Sequence, residues 1–409
     1  MSALSSYRHL LTLPGARAFF VPACLARLGV AMQSLALLWA VHGASGSFVL
    51  AGLCTGAFAS AEALLAPQVA RFVDSHGQRA VARVQLPAFA LAAATVLVGT
   101  SLHGPPWLWL LASGVAGVAC PQIGSLAAAR WRHLTGGSAQ MTTALALEVA
   151  LNELTFMVGP VLVTTLAAAV HPSTGLALAS ALVLVATTAL VRRRDTEPPR
   201  QPRGPGLLWD SRLLNRSLLP FAALHLLLGI WFGGATICLT AAALDLGVGA
   251  YAGIIAAGGG AASLLVGIAY GGARRLSARR ALVGGAAVLA LSSALLSQTH
   301  SLVPLVLLTI TAAACIAPIV IPAATALQQA TSTSLYVQAV TWTGSASALG
   351  SAASAPLVGR LVDGSSAQSG YLALAGMELL LLVAAVCVPM IDGGRRARPA
   401  PDNPMTPYP

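Results

Sequence analysis

Two carboxylates and an amide interrupt the apolar segment "ALALEVALNELTFMVGP": Glu148, Asn152 and Glu153. Charged side chains inside an apolar run of membrane-spanning length are costly, and they usually face a partner charge or a cavity that holds protons or substrate. At about 100° per residue, Glu148, Asn152, Thr155 and Gly159 share one helical face, whereas Glu153 points about 140° away from Glu148. The segment therefore predicts two separate sites on one helix.

Two other apolar runs carry a charged residue at a comparable depth, Arg27 and Glu62. At a rise of 1.5 Å per residue, Arg27, Glu62 and Glu148 all lie roughly 10–14 Å from the arginine-rich end of their runs. An Arg27 cation facing Glu148 or Glu62 would compensate charges that could not be buried alone. One carboxylate is then in excess and could bind and release a proton. A static network that locks the helices together and direct contact with a substrate are the alternatives.

The composition is that of a polytopic membrane protein. Of the 409 residues, 56% are hydrophobic and 9% are charged, and the mean hydropathy is +0.79. Lysine is absent, which excludes a Walker A loop and a pyridoxal Schiff base. The sequence contains no His-Glu-x-x-His, no Gly-x-Ser-x-Gly and no Cys/His cluster. We therefore expect neither an enzyme nor a bound metal or other cofactor.

Glycine, proline and charged residues divide the chain into about twelve apolar runs long enough to cross a bilayer. They are predicted at 18–42, 48–70, 81–101, 106–128, 141–169, 174–191, 217–243, 250–270, 281–298, 302–327, 335–358 and 370–391. If the N-terminus is cytoplasmic, all 23 arginines except Arg27 and Arg360 fall on the cytoplasmic side. This bias predicts a multi-pass protein of the cell membrane with both termini in the cytoplasm. It also explains the net charge of +11 without a nucleic acid partner.

The apolar pattern repeats once along the chain. The segment after residue 48 aligns with the segment after residue 249, pairing Gly52 with Gly253 at a shift of 201, and Pro160 pairs with Pro356 at a shift of 196. Internal repeats of this kind are the basis of many transporter folds. We therefore expect an all-α integral membrane protein of two pseudo-symmetric six-helix halves. The predicted divisions are an N-terminal bundle at 1–191, a cytoplasmic linker at 192–216, a C-terminal bundle at 217–391 and a disordered cytoplasmic tail at 392–409.

The loop "ARFVDSHGQRA" resembles the signature of the major facilitator superfamily. Asp74, Gly77 and Arg79 match the family pattern, whereas Ala70 and Ser75 stand where a glycine and a basic residue are usual. The resemblance extends over nearly the whole chain and implies that family's twelve-helix fold. We expect Asp74, Gly77 and Arg79 to form a conformational latch, in which Asp74 meets a helix terminus or an arginine across the two halves. The alternative is that Asp74 only caps the next helix.

The segment "TFMVGPVLV" resembles the antiporter motif of the superfamily at Gly159 and Pro160. Proline removes an intrahelical hydrogen bond, so this pair should bend or loosen the helix. The segments "ACLARLG" and "PLVGRLVD" resemble spans of the family's bacterial efflux-type members. In the spans that line the family's central cavity, candidates for substrate contact are Gln33, Asn152, Trp231, Gln338 and Trp342.

These residues predict a secondary active transporter that works by alternating access. The resemblance favours proton-coupled export of a drug or metabolite by a monomer in the bilayer, with small molecules and protons as its partners. Neutralisation of Glu148 or Glu153 should then abolish coupling in a protein that still folds. The alternative is a uniporter or importer of the same fold, in which the acidic residues are structural. Glu378 lies in the last predicted span and suggests a structural or lipid-interface role.

Overall fold

The computed structural model describes residues 8–136, 140–200, 218–272, 277–331 and 333–389. These ranges are helical apart from short connections, and no β-strand occurs in them. The helices are α1 (Ala16–Ser45), α2 (Phe48–His76), α3 (Gln78–Ser101), α4 (Pro106–Ala119), α5 (Ile123–Thr135), α6 (Gln140–Ala169), α7 (Thr174–Arg192), α8 (Leu219–Asp245), α9 (Ala252–Gly272), α10 (Ala278–Leu296), α11 (Leu302–Ala314), α12 (Ile316–Ala330), α13 (Thr333–Gly364) and α14 (Ala367–Cys387). The predicted tail at 392–409 and the linker from 201 to 216 lie outside the described residues.

The all-helical membrane fold is confirmed. Within the described ranges, eleven segments are long and apolar enough to cross a membrane. The helix α13, of 32 residues, occupies the remaining predicted span at 335–358 but is not among the eleven. Its sequence is rich in serine, threonine and glycine, which dilute its hydropathy. The count of twelve spans therefore remains a prediction.

One predicted span, at 106–128, consists of two helices that meet at Pro121. Proline has no N–H to continue a helix and pushes the residue before it into extended conformation. Accordingly, α4 ends at Ala119, Cys120 has φ −67° and ψ 122°, and α5 begins at Ile123. The break lies beside Gln122, whose side chain is part of the candidate site. The span continues to Thr135, further than the sequence predicts.

The two halves meet through two helix pairs, α2 with α13 and α6 with α9. A Cβ atom on Gly52 would lie 2.5 Å from the carbonyl oxygen of Ala355, next to Pro356. A Cβ atom on Gly253 would lie 2.2 Å from the carbonyl oxygen of Pro160. Only glycine permits such close approach of two backbones. The two glycines and the two prolines that the sequence repeat aligns thus occupy equivalent places at the two crossings.

The close approaches between the halves lie toward one end of the helices. In the α2–α13 crossing they include Gly56 against Ala352 and Gly359 against Phe48. The end that holds the connections after Ser45, Ala169, Asp245 and Gly364 is called here the arginine-poor side, and the opposite end the arginine-rich side. The halves are therefore packed against each other on the arginine-poor side.

Candidate transport site

A buried ion pair joins α1 to α6. Nη2 of Arg27 donates a hydrogen bond to Oε2 of Glu148, and both residues are 7% exposed. Gly124 of α5 lies beside the guanidinium, since a Cβ atom there would be 3.7 Å from Nη2. The sequence left open whether Arg27 faces Glu148 or Glu62. The structure places it on Glu148.

The second oxygen of Glu148 is also satisfied. Nε1 of Trp131 donates a hydrogen bond of 2.8 Å to Oε1 of Glu148. The indole is fully buried, and Phe19 and Phe20 pack edge-on against it with ring centroids 4.8 and 5.5 Å away. A buried carboxylate that accepts bonds on both oxygens and faces a cation is well compensated. Nothing in the sequence marks Trp131 as part of this site, because it lies between two arginines, Arg130 and Arg132, outside the predicted spans.

Glu62 occupies a different environment nearby. Its Oε1 accepts a hydrogen bond of 3.3 Å from Nε2 of Gln122, the residue at the break between α4 and α5. In the described part of the chain Glu62 forms no ion pair, and the one ion pair there is that of Arg27 with Glu148. Of Glu62 and Glu148, Glu62 is therefore the one whose described partner is neutral.

Glu153 lies on another face of α6 and is exposed. Met157, Pro160 and Thr164 follow it at helical spacing on that face. Each of the three approaches the second half: Met157 lies next to Gly260, Pro160 next to Gly253, and Oγ1 of Thr164 donates a bond of 3.2 Å to the carbonyl of Ala250. Glu153 thus lies on the α6 face toward α9, one turn nearer the arginine-rich side.

The Gly159 and Pro160 pair lies within one continuous helix, α6, which runs from Gln140 to Ala169. A Cβ atom on Gly159 would lie 3.3 Å from Cγ of Met32 in α1. Gly159 therefore allows α1 and α6 to pack closely, about three turns beyond Glu148 along α6 and about one and a half turns beyond Arg27 along α1.

The candidates for substrate contact do not form one cluster. Gln33 is 3% exposed, and its Nε2 lies 3.5 Å from Oγ of Ser180 in α7, inside the first half. Asn152 is half-buried on the Glu148 side of α6. Trp231 is 8% exposed and packs edge-on against Phe232 at 5.1 Å.

The two remaining candidates lie on α13. Trp342 is 38% exposed, so part of its ring is accessible. The side chain of Gln338 lies outside the described residues. The contact of any of these five residues with a substrate stays a prediction.

The loop that carries the family signature joins α2 to α3 at Gly77, which has φ +91°. Only glycine adopts this conformation without strain. The Arg79 backbone N–H donates a bond of 3.2 Å to Oε1 of Glu197. Asp74 is exposed and forms no hydrogen bond or ion pair within the described ranges. In this conformation the proposed latch residue is therefore free to meet a partner.

Arg130 fixes the beginning of the linker to this loop. It is fully buried, and its Nε donates a bond of 2.7 Å to Oε1 of Gln78. Its Nη1 donates to the carbonyl of Arg193 at 2.9 Å and to Oγ1 of Thr196 at 2.6 Å. The sequence predicts Arg130 only as a charge of a cytoplasmic loop, because its three partners lie more than 50 residues away along the chain.

Glu378 in α14 is 2% exposed and accepts a bond of 2.8 Å from Oγ of Ser293 in α10. It therefore lies between helices of the second half and does not face the lipid. No group of three His, Cys, Asp or Glu side chains suited to a metal occurs in the described ranges.

The fold resembles that of known transporters. The structure aligns with a mutant of the nucleoside transporter NupG (TM-score 0.69, 16% identity, 90% of this chain and 98% of that one). It also aligns with the human organic anion transporter MFSD10 (TM-score 0.59, 18% identity, 90% and 99%) and with a POT family transporter in complex with a thioalcohol-conjugated peptide (TM-score 0.68, 10% identity, 91% and 96%).

Among curated proteins, none matches the chain. The family model of the Major Facilitator Superfamily matches residues 19–354, which is most of the chain. The resemblance that the signature loop suggested is therefore confirmed, and this chain belongs to the Major Facilitator Superfamily of membrane transporters.

Proposed function

We propose that this transporter exports a small molecule, a drug or metabolite, in exchange for protons. Its two halves would alternate between conformations open to either side of the cell membrane, with both termini in the cytoplasm. The observation that carries the proposal is the pairing in the first half: Arg27 binds Glu148, whereas the one described hydrogen bond of the Glu62 carboxyl group comes from the neutral amide of Gln122.

The two carboxyl groups are suited to different tasks. Protonation of Glu148 would leave Arg27 without its counter-ion in a buried site, which is strongly unfavourable. Protonation of Glu62 leaves no cation unpaired, and a neutral carboxyl group can still accept from the Gln122 amide. We therefore assign the proton to Glu62 and a structural role to the ion pair of Arg27 with Glu148.

Glu153 is a second candidate for contact with the proton or with a cationic substrate. It lies on the face of α6 toward the second half. It is one turn nearer the arginine-rich side than Met157, which packs next to Gly260 of α9. A charged side chain in a span is tolerated where it lines a cavity. Rocking of the halves would change its surroundings more than those of Glu148, which lies inside one half.

The alternative function is a uniporter or importer in which Glu62 and Glu153 are structural, as Glu148 is in both proposals. Glu148 is satisfied on both oxygens by Arg27 and Trp131, as expected for a static network. The structurally similar proteins include a nucleoside transporter, an organic anion transporter and a POT family transporter in complex with a conjugated peptide, so the fold accommodates ligands of several classes.

An efflux assay with a library of substrates distinguishes the two functions. The protein is expressed in a host that lacks its own pumps, and retention of each compound is measured with and without a proton uncoupler. Proton-coupled export predicts that at least one compound is expelled and that the uncoupler restores its retention. Transport that is unchanged when the pH gradient collapses would overturn the proton coupling and favour the uniporter.

A further inference from the structure

Asp363 links the two halves on the arginine-poor side. It lies in the last turn of α13, and its carboxylate accepts three hydrogen bonds from the beginning of α2. Oδ2 accepts from Oγ of Ser47 at 2.8 Å and from the Val49 N–H at 2.9 Å, and Oδ1 accepts from the Phe48 N–H at 2.8 Å. All three donors belong to the first half, and the acceptor belongs to the second.

The first N–H groups of a helix have no partner within the helix, and the helix dipole favours an anion there. In α2, Ser47 caps only the Leu50 N–H, at 3.2 Å. Asp363 therefore supplies acceptors that the first half itself lacks. Bonds to a carboxylate are roughly twice as strong as bonds between neutral groups.

The other crossing of the halves has no equivalent carboxylate. The repeat that pairs Pro160 with Pro356 places Ala167 of α6 at the position of Asp363. The described hydrogen bond across that crossing joins Thr164 to the carbonyl of Ala250, at 3.2 Å. The charged link between the halves on the arginine-poor side is therefore carried by the α2–α13 crossing.

We propose that Asp363 is the latch that holds the arginine-poor side closed. The inference rests on the proposed alternation between two conformations. Opening of that side must separate the beginning of α2 from the end of α13, which breaks all three bonds together. Asp363 would then set how often the protein opens to the arginine-poor side, without contacting the substrate.

Hydrogen–deuterium exchange of the full chain in lipid nanodiscs tests this latch. Asp363→Asn retains the shape of the side chain and removes its charge. The informative amides are those of residues 252–256 in α9 and 164–169 in α6, because they lie at the other crossing. If Asp363 is a latch, Asp363→Asn accelerates their exchange by about tenfold, the effect of losing a charge-assisted bond.

Acceleration confined to residues 48–50 would show a local helix cap and would overturn the latch, as would unchanged exchange everywhere. Asp245→Asn is the matched control, since this exposed aspartate on the same side makes no described contact with the first half. Ser47→Gly removes one of the three donors and keeps a residue tolerated at a helix N-cap. Ser47→Gly should accelerate exchange at the same amides by a smaller factor. If exchange at those amides is not accelerated in Ser47→Gly, the latch is contradicted. This second variant keeps the test valid if Asp363→Asn does not fold.

The exchange measurement requires neither substrate nor a pH gradient. A protein that fails every transport assay can therefore still support the latch, and a protein that exports by proton exchange can still refute it.

Discussion

Trp131 and Glu148 form a buried hydrogen bond of 2.8 Å on the oxygen that Arg27 does not occupy. Glu148 is thus bound from two helices other than its own, α1 and α5. Both oxygens of this carboxylate, the first that interrupts the apolar run in the sequence, have a buried hydrogen-bond donor. This arrangement separates the ion pair that holds helices of the first half together from Glu62, to which we assign the exchanged proton.

Glu148→Gln should strongly destabilise the protein, which replaces the expectation from sequence that this variant still folds, because Glu148 is the counter-ion of the buried Arg27. The substitution leaves the Arg27 cation buried without a counter-ion, which costs about 3–5 kcal/mol in free energy of unfolding. The double variant Arg27→Leu and Glu148→Leu removes both charges and should lose less stability than Glu148→Gln. Thermal unfolding in detergent measures both. Equal destabilisation by the single and double variants would contradict a compensated ion pair.

Trp131→Phe should lose the hydrogen bond and retain most of the ring packing on Phe19 and Phe20. A hydrogen bond to a charged group contributes about 1.5–3 kcal/mol, so unfolding should occur at a clearly lower temperature. Trp231→Phe is the matched control, because no described hydrogen bond of Trp231 links it to a charged group. If the two variants are equally stable, the indole bond to Glu148 contributes nothing.

Glu153→Gln should alter transport with little change in stability. The side chain is exposed on the face toward α9, so the free energy of unfolding should change by less than about 0.5 kcal/mol. The rate of efflux of a compound identified in the library assay should fall if Glu153 contacts substrate or proton. Efflux at the rate of the unchanged protein would remove Glu153 from the site.

Arg130→Leu should release the beginning of the linker. The substitution removes the bonds to Gln78, Arg193 and Thr196, so residues 193–200 should be cleaved faster in limited proteolysis. Arg132→Leu is the control, because Arg132 is exposed and lies one turn or less away on α5. Equal cleavage in both variants would show that Arg130 does not anchor the linker.

Most helices could be predicted from the sequence because hydropathy and charge are local signals. The span predicted at 141–169 corresponds to α6 at Gln140–Ala169, and the repeat correctly paired Gly52 with Gly253. Arg27 and Glu148 were likewise expected at one depth, since depth depends only on the rise of a helix.

The carboxylate that pairs with Arg27 could not be predicted from the sequence. Whether Arg27 faces Glu148 or Glu62 depends on the rotation of three helices about their own axes, which side-chain packing decides. Gln122 lies at the break beside Pro121 and bonds Glu62 of another helix, and Arg130 bonds Gln78, Arg193 and Thr196. These contacts join residues far apart in the sequence, so no local pattern indicates them.

We propose that Glu62 carries the exchanged proton. In proteoliposomes, transport of a compound from the library assay can be compared between the protein and its Glu62→Gln variant. We predict that the variant loses accumulation driven by a pH gradient and keeps exchange of labelled for unlabelled substrate, because the amide replaces only the proton site. Accumulation driven by the pH gradient at the rate of the unchanged protein would contradict the claim.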